Sequence, residues 1–498
     1  MFEKVLMANR AEIAVRVIKG CQEMGIKTVA VYSDVDKKAP HVRMADESVA
    51  LGDPTPSESY LNIKKIIDAA IEKGADAIHP GYGFLAENPD FAKSCEAVGI
   101  KFIGPSADVI AKMGNKIEAK KIMEKAKVPV IPGYHGSKQD IETLIKESKK
   151  IGFPILVKAT SGGGGKGMKV VRREEDLRDS IEGAKREALS AFGDDSVFIE
   201  RYLDQPRHIE FQILADELGN VIHLNERECS IQRRHQKIIE ETPSPMMSEE
   251  LRDEMGGTAV RAAEAVGYQN AGTVEFMVDA SNNYYFLEMN TRLQVEHPIT
   301  EAITGIDLVK WQLKIASGQE LNILQEDVKP HGHAIECRIY AEDPTNGFLP
   351  CTGTINKIEL PEGPNVRNDT GIDEGMTISP YYDPMLGKLI VKGEDRKDSI
   401  EKMLWALSRY AVLGIKNNVP FLKEIIDHEA FKRGDITTHF IDIHFKDWTD
   451  IKEQLPVDAL IALAVYDSMH PKRDEVVKYK ESDPHSPWKS AGKWRIGV

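Results

Sequence analysis

Short apolar runs of strand length alternate with amphipathic stretches over about the first hundred residues. The runs KVLMA, KTVAVY, DAIHP and KFIG are strand-like, and AEIAVRVIKGCQEMG and YLNIKKIIDAAIEKG between them show helical spacing. The predicted helices end near Gly25, Gly74 and Gly99, as is common after a last helical turn. This alternation predicts βα units on a parallel, Rossmann-like sheet. The first βα turn, ANRAE, lacks the glycine-rich fingerprint of a dinucleotide site.

The pattern changes several times further along the chain. A helical stretch, NKIEAKKIMEKAK, leads to VPVIPGYHG, whose prolines and glycines are typical of a linker, and we place a domain boundary near Ile131. Strand-rich segments with a few long helices follow. The sequence therefore predicts an α/β and α+β protein with an N-terminal domain (1–114), a linker helix (115–130), a hinged lid (131–203), a mixed core (204–330), a further α+β domain (331–447) and a tail (448–498).

Composition and charge exclude several classes of protein. The 498 residues are 41% hydrophobic and 29% charged, which is ordinary for a globular protein of several domains. The net charge of −14 disfavours general nucleic-acid binding. No apolar run is long enough to span a membrane, and the first residues, MFEKVLMANRAE, are too charged for a signal peptide. We expect a cytoplasmic protein without a membrane partner.

The five cysteines are sparse, and the sequence contains no CxxC motif. An odd set of this kind is typical of a reducing compartment, so we expect free thiols. His331, His333 and Cys337 offer three potential zinc ligands. Strand-like alternation and the missing fourth ligand argue against a zinc site there.

A glycine-rich segment, SGGGGKGM, lies between two strand-like runs. A Rossmann loop must open a helix, and a Walker A loop needs Ser or Thr after its lysine, whereas Lys166 precedes Gly167. The segment is therefore predicted to be a hairpin whose backbone N–H groups could cover phosphates. An ordinary mobile surface loop is the alternative.

The segment GTVEFMVDASNNYYFLEMNTR predicts a β-hairpin that turns at Ser281-Asn282. In that register Phe276 opposes Leu287, Val274 opposes Met289, and Glu275 opposes Glu288. Val274, Phe276, Val278, Tyr285, Leu287 and Met289 would form an apolar face, while Glu275, Glu288 and Asn290 would share the other. Because opposed carboxylates repel, we expect a divalent cation between them, and their oxygens suit magnesium. A solvated polar face is the alternative.

Polar residues that could act on a small anion follow directly. If the chain stays extended, Arg292, Gln294 and Glu296 share a face. Arg292 could bind an oxyanion and Glu296 could remove a proton. A second cluster, ERECSIQRRHQK, offers Gln232, His235 and Lys237, with a solvated loop as the alternative. Tyr82, in the loop HPGYGFLAEN, follows a predicted strand and could form a wall of the site.

Eight motifs together carry a resemblance to a known family. They are ANRAEIAVR, HPGYGFLAEN, GGGGKGM, IERYLDQPRHIEFQ, ERECSIQRRHQKIIEE, LEMNTRLQVEHPITE, GHAIECRIYAEDP and YYDPMLGKLI. In this order, over about residues 1 to 447, the sequence resembles the biotin carboxylases of the ATP-grasp class. The resemblance implies an ATP-grasp fold with a Rossmann-like N-terminal domain, a mobile lid and a C-terminal biotin carboxylase domain. It also implies that ATP phosphorylates bicarbonate to carboxyphosphate, which delivers CO2 to N1 of biotin.

The resemblance assigns roles to individual residues of this sequence. ATP contacts fall on Lys116, Lys158, Gly163, Gly164, Gly165, Lys166, Gly167, Glu200, Leu203, His208, Gln232, His235, Lys237, Glu275 and Glu288. Magnesium or manganese would be held by Glu275, Glu288 and Asn290. Bicarbonate would contact Lys237, Arg292, Gln294 and Val295, with Glu296 as its base. Biotin would contact Tyr82 and Arg338, and Arg338 would stabilise its enolate. The catalytic set is thus Lys237, Arg292, Glu296 and Arg338.

The same resemblance predicts the partners. The sequence has no Ala-Met-Lys-Met-like tetrapeptide, and its one Met-Lys pair, Met168-Lys169, lies by the glycine-rich segment, so biotin is expected on a separate carrier. A homodimer and a carboxyltransferase subunit are also implied. We favour the biotin carboxylase subunit of a pyruvate carboxylase, with an acetyl-CoA or other acyl-CoA carboxylase as the alternative. A non-catalytic nucleotide-binding subunit or another ATP-grasp ligase would be less consistent with this complete set of residues.

The tail beyond Trp448 carries no recognisable motif. Trp488 and Trp494 stand there among Lys489, Lys493 and Arg495. Aromatic and basic residues are frequent at interface hot spots, so we expect the tail to be a docking element. A disordered terminus is the alternative.

Overall fold

Five parallel strands form the sheet of the N-terminal region. A computed structural model describes residues 1–134, 136, 138–159, 168–192, 194–234, 236–449 and 457–469 of the protein. The strands, in the order β3-β2-β1-β4-β5, are β1 (Lys4–Met7), β2 (Lys27–Ser33), β3 (Glu47–Gly52), β4 (Ala77–His79) and β5 (Lys101–Phe102). The helices are α1 (Ala11–Glu23), α2 (Pro40–Met44), α3 (Ile63–Lys73), α4 (Pro89–Ala97) and α5 (Ala107–Gly114). The predicted Rossmann-like layer is confirmed.

Local sequence explains where these helices begin and end. The side chain of Asn62 accepts a hydrogen bond from the Lys65 N–H and caps α3, and Asn88 caps α4 in the same way. Gly74 ends α3 with φ of 60°, a conformation that glycine adopts without a steric penalty.

The region after α6 (Lys116–Lys125) has a hydrophobic core of its own. Its four-stranded antiparallel sheet has the order β6-β9-β7-β8. The core includes Leu144, Val157, Ile181 and Ile199. This separate packing agrees with the predicted lid, whose motion remains a prediction. The elements are β6 (Gly133–Tyr134), α7 (Ile141–Ile151), β7 (Ile155–Ala159), β8 (Met168–Val171), α8 (Leu177–Phe192) and β9 (Val197–Arg201).

An eight-stranded antiparallel sheet extends from the middle of the chain into its C-terminal part. Its order is β14-β13-β10-β11-β12-β15-β22-β20. The elements of the middle part are β10 (Arg207–Ala215), β11 (Val221–Arg233), β12 (Gln236–Thr242), α9 (Glu249–Val266), β13 (Asn270–Val278), β14 (Tyr284–Asn290), α10 (His297–Thr304) and α11 (Leu308–Ala316).

The C-terminal elements of this body add three strands to the large sheet and three two-stranded sheets, β16-β17, β18-β21 and β19-β23. The strands are β15 (His333–Tyr340), β16 (Glu342–Asp343), β17 (Leu349–Pro350), β18 (Gly353–Thr354), β19 (Lys357–Glu359), β20 (Val366–Thr370), β21 (Thr377–Ile378), β22 (Met385–Gly393) and β23 (Ala411–Leu413). The helices are α12 (Arg396–Leu407), α13 (Val419–Asp427), α14 (Glu429–Arg433) and α15 (Phe440–His444).

The chain divides into two units, Met1–Thr449 and Asp450–Val498. In the second unit, the described part is the helix α16 (Val457–Met469). The tail residues named above, Trp488, Lys489, Lys493, Trp494 and Arg495, lie outside the described residues. Among the described residues, no helix combines the length and apolar character that a membrane span requires.

The cysteines and the candidate zinc ligands lie in ordinary structural positions. All five cysteines are free thiols. His333 Nε2 lies 2.8 Å from Glu241 Oε2, and Cys337 is fully buried in an apolar core. Within the described parts of the chain, His331, His333 and Cys337 do not form a metal-ligating group.

We predict that Gly371→Ala destabilises the fold, because an added Cβ would lie 2.4 Å from backbone atoms of Ala11 and Glu12 at the start of α1. Backbone cannot move aside as a side-chain end can, so the expected loss is about 1–3 kcal/mol. Gly257→Ala in α9 is the control, because its Cβ would lie 3.7 Å from Arg261 Nη1 and should stabilise the helix by up to about 1 kcal/mol. Urea unfolding midpoints measure both. Equal urea midpoints for the two variants would contradict the close approach of Gly371 to the start of α1.

Candidate active site

The predicted hairpin forms, with one change of register. Val274 opposes Met289 and Glu275 opposes Glu288, as predicted. Beyond them a β-bulge shifts the pairing, so that Phe276 opposes Phe286 rather than Leu287. The strands are joined through Asp279–Asn283, where the Asp279 N–H donates to the Asn283 carbonyl. The predicted pairing of Phe276 with Leu287 is therefore wrong.

The bulge also changes the predicted apolar face. A bulge inserts one extra residue into a strand, so the alternation of faces reverses on its far side. Tyr284 and Phe286 consequently join Val274, Phe276 and Met289 in the core. Tyr285 and Leu287, which the sequence pattern places on that face, are only half buried. The carboxyl-bearing positions before the bulge keep their predicted register.

Lys237 is the centre of a buried network of charges. Its Nζ lies 2.5 Å from Glu210 Oε2, 2.9 Å from Glu275 Oε1 and 2.7 Å from Glu296 Oε1. Burial alone would lower the pKa of Lys237, but the three carboxylates raise it well above its ordinary value. The ammonium group is therefore charged, and it holds the carboxylates from three different segments together.

Glu275 is bound on both of its oxygens. Oε1 accepts from the Asn290 amide at 2.8 Å and from the Gln294 amide at 2.7 Å, and Oε2 lies 2.8 Å from His208 Nε2. The Gln232 amide lies 2.7 Å from His208 Nδ1, so Nε2 carries the proton that is donated to Glu275. Burial raises the pKa of Glu275, but Lys237 and His208 lower it by more. The pKa of Glu275 therefore lies below the ordinary value of a glutamate.

The segment after β14 brings its polar side chains to the same place without forming a strand. Gln294 binds Glu275, and Glu296 binds Lys237 and, through Oε2, Arg338 Nη2 at 2.9 Å. Residues 291–294 belong to no strand, and Glu296, with φ of −82° and ψ of 8°, directly precedes α10, so the condition of an extended chain is not met. The polar side chains of this segment are brought together by tertiary contacts with other parts of the chain, and not by the alternation of an extended strand.

Arg292 stands at the edge of this network. Its Nη2 donates to Asn290 Oδ1 at 2.9 Å, and its Nε donates to Glu87 Oε2, also at 2.9 Å. Glu87 belongs to the HPGYGFLAEN loop of the N-terminal region. The N-terminal region therefore fixes the direction of the candidate oxyanion-binding arginine.

Glu296 is a strongly acidic carboxyl group. Burial raises its pKa, but Lys237, Arg338 and Arg227 lower it well below the ordinary value. Arg338 also donates from Nε to Glu240 Oε1 at 2.6 Å. A single guanidinium thus joins two buried carboxyl groups, and burial raises the pKa of Glu240 to about 7.

Sequence reasoning missed the fully buried Arg227. Its guanidinium binds Glu210 Oε1 at 2.6 Å and Gln294 Oε1 at 2.5 Å, and it also reaches Gln212, Thr273 and Thr300. Glu210, which was also missed, opposes both Arg227 and Glu275 in the sheet. Glu210 stands alone between Ile209 and Phe211, which was an available signal, whereas Arg227 is one of several charged residues in ERECSIQRRHQK and has no distinguishing mark.

Glu275, Glu288 and Asn290 fit a magnesium site by chemistry and by position. Glu275 and Glu288 are direct cross-strand partners, so their side chains leave the same face. The charge of Glu275, and then burial, raise the pKa of Glu288. Two carboxylates and an amide, with repulsion that a cation would relieve, match the oxygen preference of Mg²⁺.

Two other acidic groups lie close enough to hold a cation. Within the described parts of the chain these are His208, Glu210 and Glu275, and Glu210, Cys229 and Glu296, with ligand atoms within 4.8 Å of one another in each group. Lys237 already binds Glu210, Glu275 and Glu296. Its ammonium already supplies the positive charge beside Glu210 and Glu296, the carboxylates of these groups that lie outside the proposed magnesium site, so the two groups carry no separate metal assignment.

A second set of predicted residues lies on the lid side. Lys158 Nζ lies 2.6 Å from Glu200 Oε2, and Lys120, which sequence reasoning missed, contacts the other oxygen of Glu200. Lys158 and Lys120 both lie 5.6 Å above the ring of Phe198. Burial, and then the charge of Lys116, lower the pKa of Lys158 to about 8. Leu203, between β9 and β10, is half buried, and Lys116 at the start of α6 is exposed.

Tyr82 and Val295 both lie close to the side chain of Lys388. Lys388 Nζ donates to the Val295 carbonyl at 2.7 Å and lies 5.9 Å from the centre of the Tyr82 ring. Lys388 is also the cross-strand partner of Arg338. Tyr82 therefore lies beside the sheet position that carries Arg338.

The remaining predicted contacts, Gly163, Gly164, Gly165, Lys166, Gly167 and His235, lie outside the described residues. Their assignment to ATP stays a prediction.

Three family profiles match consecutive parts of the chain. "Biotin carboxylase, N-terminal domain" matches residues 1–110, "Carbamoyl-phosphate synthase L chain, ATP binding domain" matches 115–324, and "Biotin carboxylase C-terminal domain" matches 336–443. Together they account for most of the first unit.

Curated relatives and solved structures agree with these profiles. The chain is 52% identical over 494 residues to the alpha subunit of the mitochondrial methylcrotonoyl-CoA carboxylase of Dictyostelium discoideum, covering 99% of this chain and 70% of that protein. It is 55% identical over 442 residues to a pyruvate carboxylase subunit of Methanothermobacter thermautotrophicus, covering 89% and 90%. It matches the biotin carboxylase domain dimer of Hydrogenobacter thermophilus 2-oxoglutarate carboxylase, solved with MgADP, ADP and bicarbonate, at a TM-score of 0.84 and 47% identity, covering 90% and 100%.

We predict that Arg227→Met both destabilises the protein and disorganises the site. The substitution leaves the buried Glu210 with Lys237 as its remaining cation, and Lys237 is shared with Glu275 and Glu296. Breaking a buried ion pair typically costs about 3–5 kcal/mol, and Gln294 loses one of the bonds that orient it. Arg172→Met is the control, because the Arg172–Asp204 pair is more than half exposed and should change stability by less than about 1 kcal/mol. Urea unfolding of both variants measures the difference. Equal unfolding midpoints would contradict this role of Arg227.

Proposed function

The chain belongs to the biotin carboxylase family, and we propose that it carboxylates biotin on a separate carrier at the expense of ATP. The observation that carries this proposal is the buried network in which Lys237, Glu296 and Arg338 meet. It offers cations for a small anion and a carboxylate for its proton. Bicarbonate is the proposed anion, and carboxyphosphate is the proposed intermediate that delivers CO2 to N1 of biotin.

The electrostatics of Glu296 suit a base that is activated by its own substrate. Lys237 and Arg338 keep Glu296 ionised before the substrate binds. A bicarbonate ion that binds Lys237 competes for it with Glu296, so the pKa of Glu296 rises as bicarbonate arrives. Glu296 can then accept the bicarbonate proton at one of its carboxylate oxygens, while the substrate oxygen attacks the γ-phosphorus of ATP and ADP leaves.

Other residues of the chain would position the substrates. Arg292, held by Glu87 and Asn290, offers its guanidinium to the anion. Lys158 lies beside Glu200 on the lid side and is proposed to contact the nucleotide with Lys116. Glu275, Glu288 and Asn290 would hold Mg²⁺, which when bound neutralises charge on the ATP phosphates. Closure of the lid would exclude water from carboxyphosphate.

The proposed assembly contains a biotinylated carrier and a carboxyltransferase subunit, with this chain as a homodimer. We propose pyruvate as the final acceptor, supported by the 55% identity to a pyruvate carboxylase subunit that matches over 90% of its length. An acyl-CoA, as in an acetyl-CoA or other acyl-CoA carboxylase, is the second candidate acceptor. The alignment with the methylcrotonoyl-CoA carboxylase subunit covers 99% of this chain and so reaches the segment beyond Trp448.

Two substitutions should separate the proposed roles. Glu288→Gln is expected to lower Mg²⁺-dependent ATP cleavage about tenfold or more, because one of two opposed carboxylates loses its charge. Arg338→Ala should spare bicarbonate-dependent ATP cleavage more than carboxylation of free biotin. ADP release and fixation of labelled bicarbonate into biotin measure the two reactions. An equal loss of both reactions in Arg338→Ala would contradict its assignment to biotin, and a wild-type chain inactive in both would overturn the proposed function.

The acceptor is tested by the partners of the full-length chain. We expect avidin capture of biotinylated proteins from the native cell to retain this chain together with a subunit that forms oxaloacetate from pyruvate. A retained subunit that instead carboxylates an acyl-CoA would overturn the pyruvate proposal. Deleting the residues beyond Trp448 tests the proposed docking role, since unchanged capture would exclude it.

A further inference from the structure

Lys388 is a fully buried lysine in the centre of strand β22. Its side chain has no solvent exposure, and its Nζ donates to the carbonyl oxygen of Val295 at 2.7 Å. Lysine is almost never fully buried unless its charge is paired. A buried lysine bonded to backbone immediately before Glu296 therefore needs an explanation beyond packing.

The charge of Lys388 is compensated by the N-terminal region. Glu12 Oε1, on the first turn of α1, lies 3.3 Å from Lys388 Nζ, and Asp369 Oδ2 on β20 lies 4.0 Å away. Glu12 is buried, and within the described residues neither of its oxygens has a hydrogen-bond partner. Glu12 thus acts on Lys388 mainly through charge, so the directional bond of Lys388 is the one to Val295.

The Val295 carbonyl belongs to the peptide that joins Val295 to Glu296. The residues before α10 have no regular secondary structure, so helix or strand hydrogen bonds do not fix this peptide. Gln294 on one side is held by Arg227, and Glu296 on the other is held by Lys237 and Arg338. Lys388 supplies the restraint on the Val295 carbonyl, whereas the Gln294 carbonyl is held locally by His297, whose N–H donates to it at 3.3 Å and whose Nδ1 lies 2.7 Å away.

We propose that Lys388 is a positioning residue, which fixes the Val295–Glu296 peptide and thereby places Gln294 and Glu296 for the small anion. This inference rests on the proposed function, because it assigns Lys388 to the bicarbonate part of that site. Three parts of the chain contribute to this restraint. Glu12 on α1 compensates the charge, β22 carries Lys388, and the Val295 carbonyl before α10 accepts the hydrogen bond.

The test is a comparison of Lys388→Met with Lys402→Met in the full-length chain, using bicarbonate-dependent ATP cleavage. Lys402 is a matched control, because its Nζ also donates to a backbone carbonyl, that of Lys392, at 2.7 Å. For Lys388→Met the KM for bicarbonate should rise about tenfold, as expected for one charge-assisted bond, while the KM for ATP should change less than about twofold. Lys402→Met should leave both constants near the wild-type values.

A double variant separates positioning from charge balance. Glu12→Gln combined with Lys388→Met removes both members of the buried pair, so it should restore the stability that Lys388→Met loses. It does not restore the bond to Val295, and we expect its KM for bicarbonate to stay raised. If Lys388→Met does not fold, the double variant carries the comparison with Lys402→Met.

The outcomes distinguish this inference from the function on which it rests. A wild-type chain without bicarbonate-dependent ATP cleavage would overturn the proposed function. An active wild-type chain with an unchanged KM for bicarbonate in Lys388→Met would overturn the positioning role alone. A double variant that recovers the wild-type KM would also overturn it, because Lys388 would then serve only to balance buried charge.

Discussion

The structure depends on one constraint, the mutual neutralisation of charges that lie buried on a single face of the eight-stranded sheet. Directly opposed residues in antiparallel strands share a face, and the pairs Glu275–Glu288, Glu210–Glu275, Glu210–Arg227, Glu240–Glu336, Arg338–Lys388 and Asp369–Lys388 carry charge across almost the full width of the sheet. An uncompensated charge in such a place would be strongly destabilising. Each member is therefore tolerated only while its neighbours remain in position.

This constraint also explains why separate parts of the chain meet at the site. Glu87 binds Arg292, and Glu12 compensates Lys388, so two segments of the N-terminal region complete the charge pattern of the sheet. Arg16 on α1 binds Glu301 on α10 in the same way. The apolar core between these regions provides the packing, while the ion pairs determine which residues face each other. The site is consequently a property of the assembled body rather than of any one sheet.

The sequence predicted those features that depend on neighbours along the chain. Alternation of apolar runs predicted the parallel sheet, and cross-strand counting placed Glu275 opposite Glu288 because both lie in one hairpin. The same counting failed beyond Glu275, since a bulge leaves no mark in the pattern of apolar residues. Arg227 and Glu210 were missed for a different reason, because their partners are set by the order of strands in the sheet. Resemblance to a family supplied the roles of Lys237 and Arg338, which spacing alone did not indicate.

The buried charges on this face of the sheet are not balanced uniformly, and the imbalance determines where a cation and where an anion would be favoured. In the middle, Lys237 binds three carboxylates, and the pKa values of Glu275 and Glu296 are lowered. On the edge strand β14 the charge of Glu275, with burial, raises the pKa of Glu288, whereas on the opposite edge strand β20 Arg367 lowers the pKa of Asp369 in spite of burial. Negative charge is therefore undercompensated at the β14 edge of the sheet and compensated around Lys237. A divalent cation would be favoured beside Glu288, whereas the proposed bicarbonate would be favoured beside Lys237 and Arg292. A nucleotide phosphate bound to the cation would then lie next to the anion that it must phosphorylate.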